Sequence, residues 1–152
     1  PAPRKEAGFI LGLLHYLGKL VLAQNITAPY KRFLEKSRAE DLDLYTLEKE
    51  VFGASHTEIG AYLFGIWGLD EVVMISAAFH HEPALYYGPY RLEVAAVHIA
   101  NALVSEFEYE KYGQKPLQQL DAKFLSALEL EHKIEEWRSS VLKIMKEGEM
   151  YA

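Results

Sequence analysis

The sequence predicts an all-α fold, a helical bundle that is not a simple coiled coil. Three observations support this prediction. Apolar residues recur at helical spacing through most of the 152 residues. No segment alternates apolar and polar residues with a period of two for long enough to indicate a strand. Helix start and stop signals, such as the pair Ser55 and Glu58 or the glycine Gly68, divide the apolar stretches into elements of helical length.

The N-terminal third of the chain is expected to contain three helices. Their predicted ranges are residues 6–23, 30–39 and 44–52. The first is apolar nearly all round, which is typical of a central, buried helix. The segment from Asn25 to Pro29 should interrupt the chain after it. Glu40 to Asp43 reads as an acidic turn, and Gly53 should end the third helix.

Residues 53–83 predict two helices joined by a tight turn. Ser55, with Glu58 three residues later, is the sequence pattern of a capping box, so a helix should begin there. Gly68 stands where a left-handed helix end is needed, and Asp70 can cap the next helix. That second helix should end just before Pro83, which cannot extend it.

The C-terminal half is expected to contain three further helices after a loop. Residues 81–91 carry two prolines, a glycine and three tyrosines, a composition typical of a loop. The predicted helices that follow cover residues 92–112, 117–130 and 133–146. Gly113 should end the first of them.

Four histidines are the candidate functional residues. In an antiparallel helix pair, His56 at the start of one helix lies near His80 and His81 at the end of the other. Several imidazoles at one end of a hairpin indicate a metal site or a phosphate site. Taken singly, each has a simpler interpretation: His15 as a core residue, His56 as a first-turn residue, and the other two as a helix C-terminal pair. His98 and Asn101 lie three residues apart on one face of the long helix and could extend this pocket, but we expect His98 to be a half-exposed surface residue.

Composition excludes several classes of protein. The formal net charge of −6 disfavours nucleic-acid binding, because phosphate backbones repel an acidic surface. The chain has no cysteine, so it has neither a disulfide framework nor a thiolate metal site. The apolar stretch over residues 8–22 is interrupted by His15 and Lys19, and we expect it to be too short to span a membrane. An interpretation as the apolar region of a signal peptide stays open.

Two segments resemble a known family. LLHYLGKLVL at 13–22 resembles the HD-x-G-K helix of the HD superfamily of metal-dependent phosphohydrolases. SHTEIGAYLFGIWGLDEVVMISAAFHHEP at 55–83 resembles the HDOD domain, an HD-related output domain of bacterial signalling proteins, and the tail at 120–137 looks like the end of that domain. The resemblance implies an HD-domain-like helical bundle in which residues 1–152 form the C-terminal part of the domain, with its N-terminal half absent. The exposed face of the first helix is then expected to be covered by a second copy or an exchanged helix.

The resemblance also implies a metal site made of His15, His56, His80 and His81. Tyr16 stands where catalytic relatives have an aspartate ligand, and Asn101 stands at a second aspartate position. A phenol with an ordinary pKa of about 10 and a neutral amide are poor substitutes for anionic oxygens. The expected cofactor is therefore none, or a single zinc, nickel or iron ion. Lys19 matches the lysine of the motif, which lies near the phosphate in active relatives; a lysine extending from a buried helix is the alternative.

The function implied by the resemblance is a non-catalytic regulatory module of bacterial cytoplasmic signal transduction that acts through contacts with other signalling proteins. Homodimerisation and a nucleotide ligand are both compatible with it, and no membrane partner is expected. The alternative is a metal-dependent phosphohydrolase acting on a cyclic dinucleotide or a nucleotide. The HD-GYP phosphodiesterases of the same superfamily carry a Gly-Tyr-Pro signature after their histidine pair. Here the corresponding loop has Gly88, Pro89 and Tyr90 in another order, which we attribute to common loop composition.

Overall fold

A computed structural model describes residues 5–39, 44–112 and 118–149. All regular structure in these ranges is helical, so the predicted all-α fold is confirmed. The α-helices are α1 (Lys5–Leu14), α2 (Leu17–Asn25), α3 (Thr27–Ala39), α4 (Leu44–Phe52), α5 (His56–Ile66), α6 (Glu71–Phe79), α7 (Arg91–Tyr112), α8 (Ala122–Ala127) and α9 (Ile134–Glu149). Short 3₁₀ helices cover Pro83–Leu85 and Glu131–Lys133. The chain forms two compact units, Pro1–Val97 and His98–Ala152.

The first unit is organised around the hairpin of α5 and α6. α1 packs against α6 and α2 packs against α5, while α3 contacts both α2 and α4. One apolar core lies between these helices and contains Leu11, Phe64, Val73, Ala77 and Val97. A second core is formed by Leu22, Tyr30, Phe33 and Leu44. These two clusters hold the hairpin against the N-terminal helices.

The local signals that predicted the hairpin are confirmed. Ser55 caps α5, its side chain accepting from the backbone of Glu58 while the Glu58 side chain accepts from the backbone of Ser55. Gly68 has φ of 69° and Gly53 has φ of 76°, left-handed conformations that favour glycine after a helix. Asp70 precedes α6 as predicted, but its side chain makes no capping hydrogen bond.

The predicted helix over residues 6–23 is wrong in one respect, because it is broken into α1 and α2 at His15 and Tyr16. The ring Nδ1 of His15 donates to the carbonyl oxygen of Gly12 at 2.6 Å. In a continuous helix that carbonyl would accept the backbone N–H of Tyr16. The side chain of His15 therefore competes with the helical hydrogen bond, and the chain turns.

The predicted burial of this region is also wrong within the single chain. Leu11 is buried, but Phe9 is 71% exposed, Leu13 is 68% exposed and Leu20 is 60% exposed. α1 packs against α6 along one side, which leaves its remaining apolar side chains uncovered. The expectation that a second copy or an exchanged helix covers this face stays a prediction.

The structure does not support the expectation that the N-terminal apolar stretch is too short to span a membrane. The stretch Ala7–Asn25 has 19 residues, a mean hydropathy of 1.4 and 17% burial, so its length and composition would suffice to cross a bilayer. Core helices of soluble proteins and signal sequences near an N-terminus meet the same criterion. The turn at His15 and the charge of Lys19 still interrupt the stretch, and the absence of a membrane partner stays a prediction.

Two further helix boundaries differ from the predicted ones. α3 begins at Thr27 rather than at residue 30, because Pro29 lies in the first turn, where its missing N–H has no helical partner to lose. The predicted helix over 117–130 is reduced to α8, since the Asp121 side chain accepts from the backbone N–H of Phe124 and caps a helix there. Glu129, with φ of 57°, ends that helix region. The predicted turn at 40–43 and the stop at Gly113 lie outside the described residues.

In the second unit, an ion pair connects α9 to α7. Arg138 Nε donates to Glu106 Oε2 at 2.9 Å, and the guanidinium also pairs with Glu135 on its own helix. Both partners of the first pair are about two-thirds covered, with 33% of each side chain exposed. Buried apolar residues of this unit are Ile99, Ala102, Leu103, Phe107, Phe124, Leu125 and Ile134.

Candidate functional site

Three of the four predicted histidines come together at one end of the α5–α6 hairpin. His56 is the first residue of α5, His80 follows the last turn of α6, and His81 is next in the chain. One ring nitrogen from each lies within 4.8 Å of the others. His56 and His80 are fully buried, so this group lies inside the first unit rather than on its surface.

His15 and Tyr16 lie beside this group, in the turn between α1 and α2. The His15 ring meets the His80 ring edge-on with centroids 5.0 Å apart, but His15 is not part of the three-histidine group. Tyr16 is 4.1 Å from the His15 ring, 5.5 Å from His56 and 5.6 Å from His80 by ring centroids. The ring of Tyr16, the residue that the resemblance aligns with an aspartate ligand of catalytic relatives, therefore lies beside the histidine group.

Hydrogen bonds define the tautomers of three of these rings. Nδ1 of His15 bonds to the Gly12 carbonyl, and Nδ1 of His80 bonds to the Ala77 carbonyl at 2.9 Å. Nδ1 of His56 bonds to Glu48 Oε2 at 2.5 Å. Carbonyl and carboxylate oxygens only accept, so Nδ1 carries the proton in each case. In the neutral rings the lone pair that binds a metal is then on Nε2.

Glu48 is a site residue that the sequence reasoning missed. It lies on α4, is fully buried, and uses both carboxylate oxygens. Oε2 accepts from the ring and from the backbone N–H of His56, the latter at 2.7 Å, and Oε1 accepts from the Tyr30 hydroxyl at 2.9 Å. The available signal was a glutamate one turn after Leu44, on the helix face that is otherwise apolar.

A second residue of α4, Tyr45, covers His81. The two rings are stacked, with centroids 4.7 Å apart and planes at 1°. The Tyr45 hydroxyl donates to Glu82 Oε2 at 2.5 Å and accepts from Lys49 Nζ at 2.6 Å. α4 therefore contributes a hydrogen-bond partner for one histidine of the group and a stacking partner for another.

Burial controls the charge of these residues. Burial, together with the nearby His15 and His56, holds the pKa of His80 well below its ordinary value, and burial also lowers the pKa of His15. Burial raises the pKa of Glu48, but the hydrogen bonds from His56 outweigh burial and leave this pKa below its ordinary value. Burial and the Glu48 carboxylate raise the pKa of Tyr30. His15 and His80 are therefore expected to be neutral near neutral pH, close to an ionised Glu48.

The remaining predicted residues have different surroundings. Lys19 lies on α2 with its Nζ 3.6 Å from the centre of the Tyr16 ring, a cation–π contact at the edge of the site. Asn101 is buried in the second unit. The prediction that His98 is half-exposed is wrong: it is fully buried in that unit, where Nε2 accepts the backbone N–H of Asp121 at 2.9 Å. Sequence periodicity did not reveal this, because the covering loop comes from residues 23 positions further along.

The three-histidine group fits a single borderline metal ion. Tetrahedral zinc with bonds of about 2.0–2.1 Å places its ligand nitrogens about 3.4 Å apart, which small ring movements from the present 4.8 Å limit would reach. Neutral imidazoles suit zinc, nickel and iron. Two ions roughly 3.5–4 Å apart require bridging oxygens. Among the described residues the group contains histidines alone, so it offers no bridging carboxylate.

The helical fold and the buried histidine cluster place the chain among HD-like helical domains, and comparison with known proteins gives the family. The HDOD domain family matches residues 1–83, and the chain belongs to this family. The match does not extend to the tail at 120–137, so a family domain over residues 1–152 stays a prediction.

Two individual proteins are similar to this chain. An uncharacterized protein of Treponema pallidum (strain Nichols) is 27% identical over 118 residues, which cover 78% of this chain and 22% of the relative. A crystal structure from Marinobacter aquaeolei VT8, of a "Putative signal transduction protein", aligns with a TM-score of 0.76 at 22% identity, over 93% of this chain and 31% of that one. The chain therefore spans about a fifth to a third of the length of these proteins, and the structural likeness supports the fold.

Proposed function

We propose that this chain is a regulatory HDOD module of bacterial cytoplasmic signal transduction, which acts through contacts with other signalling proteins and not by catalysis. Membership of the HDOD family supports the signalling part of this proposal. The signal transduction name carried by the structural neighbour from Marinobacter aquaeolei agrees with it. Two features of the first unit argue for regulation without turnover, namely the donor set of the histidine site and the exposed apolar side chains of α1.

The donor set of the histidine site is the observation that carries the proposal. The group consists of His56, His80 and His81, and the ring of Tyr16 packs against two of them. Glu48 is buried nearby, but both its oxygens are engaged by Tyr30 and His56. Two-metal hydrolysis depends on anionic oxygens that hold both ions and activate water. The site therefore supports binding of one ion or of a small ligand better than it supports phosphodiester hydrolysis.

The apolar face of α1 gives the module a surface for protein contact. Phe9, Ile10 and Leu13 are exposed by 71%, 46% and 68%, and they share one short helix. Contiguous exposed apolar side chains of this kind are typical of interaction sites. A second copy of the chain or another signalling protein would cover them, and sedimentation of the purified chain at micromolar concentration distinguishes a dimer from a monomer.

The alternative, a metal-dependent phosphohydrolase, is favoured by the clustering of three histidines near Lys19. Purified protein loaded with manganese or iron should be assayed on bis(p-nitrophenyl) phosphate and on a cyclic dinucleotide. We expect no turnover above that of the His80→Ala variant. Metal-dependent hydrolysis that disappears in His80→Ala, with about two ions per chain by elemental analysis, would establish the enzyme instead.

A nucleotide ligand is compatible with the regulatory role. Binding to the folded state raises apparent stability by mass action, so a thermal-shift screen of nucleotides, with and without a divalent metal, tests for it. A shift that is lost in His80→Ala would place the ligand at the histidine site. A shift retained in that variant would place it elsewhere.

A further inference from the structure

Glu48 differs in kind from the backbone carbonyls that accept from His15 and His80. His15 and His80 each bond to a backbone carbonyl of the helix turn that precedes them, at Gly12 and Ala77. His56 instead bonds to a carboxylate eight residues earlier, on the separate helix α4. The His56 ring is thus anchored by an ionisable side chain from another helix.

The carboxylate fixes two parts of His56 at once. A single oxygen, Oε2, accepts the backbone N–H at 2.7 Å and the ring N–H at 2.5 Å. The backbone contact satisfies a first-turn N–H of α5, and the ring contact prevents the imidazole from turning over. With Nδ1 on the Glu48 side, the opposite edge of the ring is directed away from α4 and into the group with His80 and His81, whose centroids lie 5.6 Å and 5.0 Å away.

Tyr30 holds the carboxylate itself. Its hydroxyl donates to Oε1 at 2.9 Å, and both residues are buried, with 3% exposure for Tyr30 and none for Glu48. A buried carboxylate without such donors would be strongly destabilising, so the three contacts also explain how Glu48 is tolerated in the core. Hydrogen bonds therefore connect Tyr30, in the second apolar core of the unit, through Glu48 to His56 in the histidine group.

We propose that Glu48 is the positioning residue of this site: it holds His56 with Nε2 towards His80 and His81, so that the three rings bind one divalent ion of the zinc, nickel or iron class. This inference rests on the single-ion reading of the site proposed above. Carboxylates that accept from a ligating histidine orient the ring and make it a better donor to the metal. Tyr30 acts one step further out, by orienting the carboxylate.

The test uses Co²⁺ as a spectroscopic substitute for zinc. Absorption titration of the metal-free chain gives the Co²⁺ affinity and, from the visible bands, the coordination geometry. We expect Glu48→Gln, which keeps the shape of the side chain and removes its charge, to weaken Co²⁺ binding by about 10–100-fold. Tyr30→Phe should weaken it by less than about tenfold, since the carboxylate remains.

Glu58→Gln is the matched control. It removes the same charge from the same end of α5, but the Glu58 carboxylate contacts Ser55 and a glutamine preserves the capping box. Its Co²⁺ affinity should stay within about twofold of the unaltered chain, because its side chain does not contact a metal-binding ring. Equal losses in both variants would overturn the proposal, because they would reflect charge alone.

A second measurement separates positioning from metal binding. Nitrogen-15 shifts of the His56 ring in the metal-free chain report which nitrogen carries the proton. We expect the Nδ1–H form in the unaltered chain. A glutamine oxygen can still accept from Nδ1–H, so this measurement uses Glu48→Leu, in which Nε2–H should appear. An unchanged tautomer in Glu48→Leu would overturn the role of Glu48 even if metal were bound. The expected tautomer without any Co²⁺ binding by the unaltered chain would overturn the metal part alone and leave the regulatory function in place.

Discussion

The crossing of α2 and α5 predicts opposite outcomes for two glycine-to-alanine changes. Gly18 on α2 and Gly60 on α5 face each other where these helices meet, and both are buried. A Cβ added at Gly18 would lie 1.9 Å from the carbonyl oxygen of His56 and 3.0 Å from the nitrogen of Gly60. A Cβ added at Gly60 would meet Gly18 at 3.5 Å, an ordinary contact distance.

The expected loss of stability in Gly18→Ala follows from the atoms that would have to move. Both atoms that the Gly18 methyl would strike belong to backbone, so relief requires the helices to separate by more than about 1 Å, and overpacking of this kind costs about 3 kcal/mol or more. The higher helix propensity of alanine offsets about 1 kcal/mol of this cost. Gly18→Ala should therefore lower the free energy of unfolding by about 2 kcal/mol or more. Gly60→Ala should be neutral or slightly stabilising.

Urea unfolding followed by far-ultraviolet circular dichroism measures this difference. With a denaturant slope of about 2 kcal/mol per molar, the Gly18→Ala midpoint should fall by about 1 M relative to Gly60→Ala. Gly8→Ala is a further control, because its Cβ would have no neighbour within 4 Å. If Gly18→Ala were as stable as Gly60→Ala, the close approach of α2 to the first turn of α5 would be wrong, and with it the position of His56.

Two other predictions concern stability. The pKa values of His15 and His80 are lowered from the ordinary 6.5, so below that pH the unfolded chain binds protons that the folded chain does not. The free energy of unfolding should therefore fall as pH falls from about 7.5 to about 5.5, by up to about 1.4 kcal/mol per pH unit for each histidine. Urea unfolding midpoints measured in EDTA test this. A free energy of unfolding that does not change with pH would contradict the neutral, buried state of the two rings. Ser55→Ala removes the hydrogen bond that the Ser55 hydroxyl accepts from Glu58 and should lower the free energy of unfolding by about 1–2 kcal/mol in the same assay. The control Ser139→Ala, at an exposed position of α9, should change the free energy of unfolding by less than about 0.5 kcal/mol.

The local sequence signals predict the structure correctly because the interactions behind them are local. The capping box at Ser55 and the glycines at 53 and 68 act within one helix turn, so the sequence alone contains the interacting partners. The proximity of His56 to the pair at 80 and 81 followed from these two helix ends and the short turn between them. This part of the candidate site needed no information from the rest of the chain.

The sequence-based predictions are wrong where a side chain replaces a helical hydrogen bond or contacts a residue far away in the sequence. The break at His15 depends on a ring nitrogen taking a helical carbonyl, which hydrophobic periodicity does not register. The sequence pattern predicts a surface position for His98, yet the segment that includes Asp121 covers it. The sequence pattern does not by itself predict the burial of Glu48, because a glutamate in an amphipathic helix normally faces water.

The sequence by itself determined the helical class, the family, and the hairpin that gathers His56, His80 and His81, since these depend on periodicity, capping and short connections. Tertiary structure decided how the site is completed. It placed Tyr16 against the rings, engaged Glu48 with His56, and brought the backbone of α2 against that of α5 at Gly18. These contacts join residues from separate elements of the fold, and their energies come from burial and from backbone approach that become defined only when the helices pack.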